Sequence, residues 1–145
     1  MQSLRVEDSG WDHDWFAVDI NDYLIHCASG GGFLPEPVAV SKENLSILKK
    51  FFNTLPELLT DEEIPLTSAA LSDSSSFLYY ARRGFYSFDK TDLNNPEDPF
   101  YHLIARPPRA TLLTNLPVDI AALVALIRFP STVVNLPFIN ITTIT

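Results

Sequence analysis

With 145 residues, 46% of them apolar, the chain falls in the size range of one compact domain and has ample material for a core. Its 18 acidic residues stand against 10 basic ones, a net charge of −8, which repels phosphate backbones and anionic lipid and argues against nucleic acid or a membrane surface as partner. What an acidic surface does attract is a basic protein surface, by fast and salt-sensitive encounter.

The single cysteine, Cys27, cannot form an internal disulfide, and the opening segment M-Q-S-L-R-V-E-D-S-G has no apolar stretch of the signal-peptide kind, so a cytoplasmic location is expected. The longest apolar run, Ile120 to Ile127, has eight residues where a bilayer span needs about 20, and no transmembrane helix is expected.

In chain order, Trp15 to Ile20 and Tyr23 to Ser29 are apolar and rich in aromatic and branched residues, with Asn21 and Asp22 between them, which reads as a hairpin. The second of these runs passes straight into Gly30, Gly31 and Gly32 and is closed by Pro35, so the backbone turns sharply where side chains are absent. Val38 to Val40 suggests a short strand. Ser41 is an N-cap type with Glu43 in the first turn, and Leu45, Leu48, Phe52 and Leu55 recur at helical spacing until Pro56. From Glu57 to Leu71 the periodicity fails and acids gather at Asp61, Glu62 and Glu63, as in an exposed connection.

A second helix is expected after a cap at Ser72 or Asp73, with Phe77, Leu78 and Ala81 on its buried face and Arg82 and Arg83 in its last turn. Gly84 suits a left-handed C-terminal cap. Phe85 to Asp89 and Tyr101 to Ala105 then read as two strands joined by a loop dense in turn formers. Pro117 opens a third helix, with Asp119 in its first turn and Arg128 in its last, and the residues between are apolar almost all round. The tail from Ser131 to Thr145 has no charged residue and a strand composition, so it should dock on its own sheet or be exchanged with another copy. The sum is a single α+β domain, residues 1–145, with a mostly antiparallel sheet and about three helices packed on one side.

Three chemistries can be weighed on these residues. Cys27 with His13 or His102 could make a thiol and general-base pair, but His26 and Cys27 alternate on a strand and point to opposite faces, and a lone cysteine on an apolar strand is usually a packing residue. The run Asp12, His13, Asp14, with Asp19 and Asp22, holds ligand types without metal-site spacing, so no metal is expected. The three glycines are followed by Phe33, Leu34 and Pro35, not by a Lys and a helix, so a phosphate cradle is not expected either, and no cofactor is assigned. An aromatic concentration that includes Tyr79 and Tyr86, flanked by Arg82 and Arg83, is mostly core material, with those two tyrosines as candidates for a partner anchor.

Two segments together, W-F-A-V-D-I-N-D-Y-L-I-H-C-A-S-G-G-G-F-L-P and then G-F-Y-S-F-D-K followed by Y-H-L-I-A-R-P-P, resemble small bacterial immunity proteins of polymorphic toxin systems over about half the chain. The resemblance implies a non-catalytic binder that occludes a toxin, and the acidic balance would suit a basic one such as a nuclease. On that reading the partner contacts are Asp12, Asp14, Asp61, Glu62 and Glu63; Tyr79 and Tyr86 stand beside them as the anchor candidates of the aromatic cluster, and Gly30, Gly31, Gly32 and Gly84 are structural by their places in a turn and a helix cap. Cys27 and the apolar tail depart from that pattern. Two other readings stand beside it: a homo-oligomer, for instance a dimer closed through the tail or the 118–128 helix, and a small Cys27-dependent enzyme.

Overall fold

The computed structural model describes residues 12–67 and 74–144. Five strands form one sheet in the order β1-β2-β3-β4-β5: β1 Asp14–Val18, β2 Leu24–Ala28, β3 Tyr86–Lys90, β4 Phe100–Ala105 and β5 Phe138–Asn140. All neighbours run antiparallel except β2 and β3 at the centre, which are parallel. A parallel pair needs a long crossover, and among its described residues the one here holds three α-helices: α1 Glu36–Ala39, α2 Lys42–Phe52 and α3 Ser75–Ala81. The fourth, α4 Val118–Val124, contacts α2 and β1. The architecture is α+β, with a mostly antiparallel sheet.

The hairpin forms where expected because its turn is built from polar residues that bond locally. Asp22 takes a φ of 69°, a conformation that aspartate tolerates better than most residues. The buried Asp19 carboxylate accepts the amide hydrogens of Asn21 at 2.8 Å, Tyr23 at 3.0 Å and, from far along the chain, Val133 at 2.9 Å. Asp19 is therefore committed to backbone, and it ties the first turn to the C-terminal segment.

Several local expectations are corrected. Val38 to Val40 is not a strand: Val38 and Ala39 lie in the single-turn helix α1, where the Pro35 carbonyl accepts the amide hydrogens of both at 2.9 Å. Pro37 fits there because the first turn has no use for its missing N–H. Arg128 is not in a helical last turn, because α4 ends at Val124; it bridges to Val18 beside β1 and donates to the Asp19 carbonyl at 2.8 Å and to Asp22 at 3.2 Å. The 57–67 part of the expected exposed connection is partly anchored, since Leu59 and Ile64 are buried with Phe77 and Ala81 on either side of a 3-10 turn, Asp61–Glu63. In the tail, β5 docks on β4 of its own chain, and the Pro137 carbonyl before it accepts from Leu103 N–H at 2.8 Å.

Other expectations hold in detail. Ser41 caps α2 by accepting from Asn44 N–H at 3.0 Å. Gly84 has a φ of 93° after α3, and a methyl group there would lie 2.4 Å from the Thr111 amide nitrogen. Ser72 and Asp73 lie outside the described residues; Ser74 stands at the N-cap position of α3.

The register sorts the core into two faces. Phe16, His26 and Ser87 lie on one face, against which α2 and α3 pack through Phe52 and Tyr80. Trp15, Cys27, Phe88, Tyr101 and Ile139 occupy the other, with Trp15 and Tyr101 meeting edge to face at 5.7 Å. Lys90, opposite Tyr101 on β3, shares that second face, and the glycine corner after β2 folds over its stem.

Candidate functional site

The helical face carries a polar line that begins in the core and ends at the surface. His26, fully buried on β2, points Nδ1 at the Ser87 hydroxyl, 2.5 Å away, and Nε2 at the Asp14 carboxylate, 2.8 Å away. A carboxylate only accepts, so Nε2 carries a hydrogen and donates it to Asp14. Tyr80 of α3 stacks on the imidazole with centroids 4.0 Å apart and 25° between planes. Asp14 in turn meets the Lys49 ammonium of α2 at 3.2 Å. Burial alone would push the Asp14 carboxyl up, but the hydrogen bond and charge of His26, together with Lys49, outweigh it and hold the group below the usual carboxylate range.

A serine, a histidine and an aspartate in line suggest a nucleophile relay, yet Ser87 and His26 are both completely buried and the tyrosine lies flat on the ring. A nucleophile must meet its substrate, and this hydroxyl sits inside the core. The line is a brace that satisfies two buried polar groups and ties the sheet to α2. The sequence carried no signal for it, since His26 and Ser87 are 61 positions apart and meet only through the parallel β2–β3 pairing.

Where the line surfaces at Asp14, an open groove of about 700 Å³ runs along α3. It brings together Asp14, Asp61 and Tyr79 from the expected contact set, with Tyr80, Ser75 and Arg82 beside them. Arg82 bridges Asp61 and, outside the lining, Glu57, so both acids that line the groove, Asp14 through His26 and Lys49 and Asp61 through Arg82, are already partnered within the chain. Arg83 lies over the Tyr79 ring, 3.8 Å from its centroid, and donates to the Leu55 carbonyl at 3.1 Å. Tyr79 is thereby held half-buried on the groove wall.

The remaining expected residues divide. Glu62 is exposed next to Asp61. Glu63 accepts from both the amide and the hydroxyl of Thr60, a capping box that holds its carboxyl below the usual range. Asp12 lies in a neighbouring depression with His13, Lys42 and Lys49 that Asp14 shares, and it accepts from Gly30 N–H at 3.0 Å. Tyr86 is a correction: it is 5% exposed and packs against Tyr23, because β3 is covered on both faces. It is core and no anchor.

Cys27 is buried on the face opposite His26, and burial first, then the charge of Asp89, pushes its thiol well above the ordinary range. Among the described residues no three His, Cys, Asp or Glu side chains are grouped to hold a metal, and no helix is long and apolar enough to cross a membrane. No family model matches the chain, and neither a curated protein nor a solved structure is significantly similar to it.

Proposed function

We propose that the chain is a non-catalytic, cytoplasmic binding module of the immunity or inhibitor kind, which neutralises a partner protein by covering its working surface. The partner's contact surface would be basic, as that of a nuclease toxin would be. The observation that supports this reading is the α3 groove, whose lining includes an Arg-braced tyrosine, Tyr79, together with Asp14 and Asp61, while Glu62 is exposed next to Asp61 in the chain. Tyrosine and arginine supply contact area at small entropic cost, and surrounding carboxylates speed the approach of a cationic surface. The inert setting of Cys27 supports binding over thiol chemistry.

The test is co-purification with the protein encoded beside this chain. Wild type should retain it, Glu62→Lys should slow association several-fold and make it less salt-sensitive, and Tyr79→Ala should speed dissociation. Retention unaffected by both substitutions would move the contact surface elsewhere. A second reading, a homodimer closed over the α4 region, is favoured by Val118 and Leu126, apolar side chains that are 88% and 58% exposed. A monomer by light scattering at high concentration would exclude it.

A further inference from the structure

The sheet ends differently at its two edges. Outside β1, Val18 donates to the Ile127 carbonyl at 3.0 Å and accepts from Phe129 N–H at 2.8 Å, so the 127–129 segment closes that edge. Outside β5, no strand pairs among the described residues. The register fixes which backbone groups are left over there. Leu103 donates to the Pro137 carbonyl at 2.8 Å and Ile141 to the Pro99 carbonyl at 2.9 Å, so the inward bonds of this segment fall at odd-numbered positions. Phe138 stands opposite His102 in a pair of the non-hydrogen-bonded kind, and its N–H and C=O point out of the sheet.

Neither a charge nor a proline guards that outer side. The tail from Ser131 to Thr145 has no charged residue, and Pro137, at an inward position, directs its missing N–H at β4 and not at solvent. Farther on, the Asn140 carbonyl is taken by the Thr143 hydroxyl at 2.7 Å, so the open donor and acceptor are centred on Phe138. Beside them lie two rings that folding leaves in water. Phe138 is 54% and Phe100 40% exposed, and the rings meet edge to face with centroids 6.0 Å apart, on the sheet face that carries Asp89 and His102.

We propose that β5 accepts an extended, apolar segment of a partner protein as a sixth, antiparallel strand, one residue of which exchanges both backbone bonds with Phe138 and sets its side chain beside the Phe138 ring. A donor and an acceptor on one outward residue are complemented by an extended backbone, which offers both at strand spacing. An aromatic or branched residue directly opposite Phe138 packs on the ring that is now exposed. A second copy of this chain is the alternative occupant, but the two rings expose only roughly 200 Å² between them, against about 800 Å² a side in a stable dimer. Main-chain bonds give a short added strand its affinity without such an area. Neither Phe100 nor Phe138 lines the α3 groove, so the proposal stands or falls independently of the immunity reading.

The test is an amide NMR titration of the whole chain with a capped Thr-Val-Phe-Thr peptide and with its counterpart N-methylated at every residue, which keeps the side chains and removes the donors. The unmodified peptide should give saturable shifts at Phe100, Phe138 and Asn140, with slower hydrogen exchange at the Phe138 amide. The N-methylated peptide should bind at least about tenfold more weakly. Phe138→Ala, which keeps the outward backbone groups, should weaken the unmodified peptide several-fold. Phe138→Pro, which also removes the outward N–H without touching a ladder bond, should weaken it further, and the free spectra check that both variants fold. Equal binding of the two peptides, shifts confined to Tyr79 and its neighbours on α3, or no shift at about 10 mM peptide would each overturn the proposal. Shifts at Phe138 that follow the concentration of the protein alone would do so too, by assigning the edge to a second copy.

Discussion

Gly32 lies over the stem of Lys90 so closely that a methyl group on its α-carbon would come 2.5 Å from Lys90 Cε. The three-glycine run is thus the cover of a buried cation. The Lys90 ammonium is drawn down by burial and held up by Asp98, whose carbonyl and carboxylate it meets beneath that cover. Gly30 and Gly31, with φ of 55° and 81°, bend the chain over it.

That packing makes a coupling prediction. Gly32→Ala should cost about 1–3 kcal/mol, the usual penalty for forcing an atom into filled space. In a Lys90→Ala background, where the obstructing stem is gone, the same substitution should cost much less. Urea unfolding of the four chains measures the difference; additive costs would show that Gly32 and Lys90 do not touch.

At Gly84 two penalties combine. Its φ of 93° is strained for any side chain, and the added methyl would meet Thr111 backbone, which cannot swing away as the end of a long side chain could. Gly84→Ala should lower stability by about 2–4 kcal/mol. A loss below about 1 kcal/mol in thermal or urea unfolding would contradict the close approach.

Asp14 should give the acid limb of the stability profile a recognisable shape. Its carboxyl is held lower in the folded chain than in the unfolded one, where it titrates at about 3.9. Such a group adds stability above the unfolded value and loses it as pH falls through the folded value. Asp14→Asn should therefore cost about 1–3 kcal/mol near neutrality, and the gap to wild type should close below about pH 4. A gap that stays constant into acid would mean that the carboxylate charge plays no part in the brace.

Cys27 should resist a thiol reagent in the native chain and react only as fast as the protein unfolds, because its thiolate is disfavoured and its sulfur is buried. Rapid stoichiometric labelling without denaturant would restore the thiol-enzyme reading.

What was legible in the sequence was what neighbours decide. The Ser41 cap, the left-handed Gly84 and the Asn21–Asp22 turn each depend on a few adjacent residues, and each is found. The parallel pairing of β2 with β3 depends on a long crossover that carries α1, α2 and α3, so nothing near His26 pointed to Ser87, and nothing near Gly32 pointed to Lys90. The same gap explains Tyr86. Its segment reads as a strand, but only the sheet order shows that β3 is central and has no exposed face. For the candidate site, Asp14, Asp61 and Tyr79 do meet in one groove, whereas the parts that Arg82 and Tyr80 play there follow from where α3 lies against the sheet.

The most direct test of the binding account is the growth of cells expressing the protein encoded beside this chain, with and without this chain present. The account predicts that the neighbour kills and that this chain restores growth, with rescue weakened by Glu62→Lys together with Tyr79→Ala. A harmless neighbour, or killing that this chain does not reverse, would contradict it.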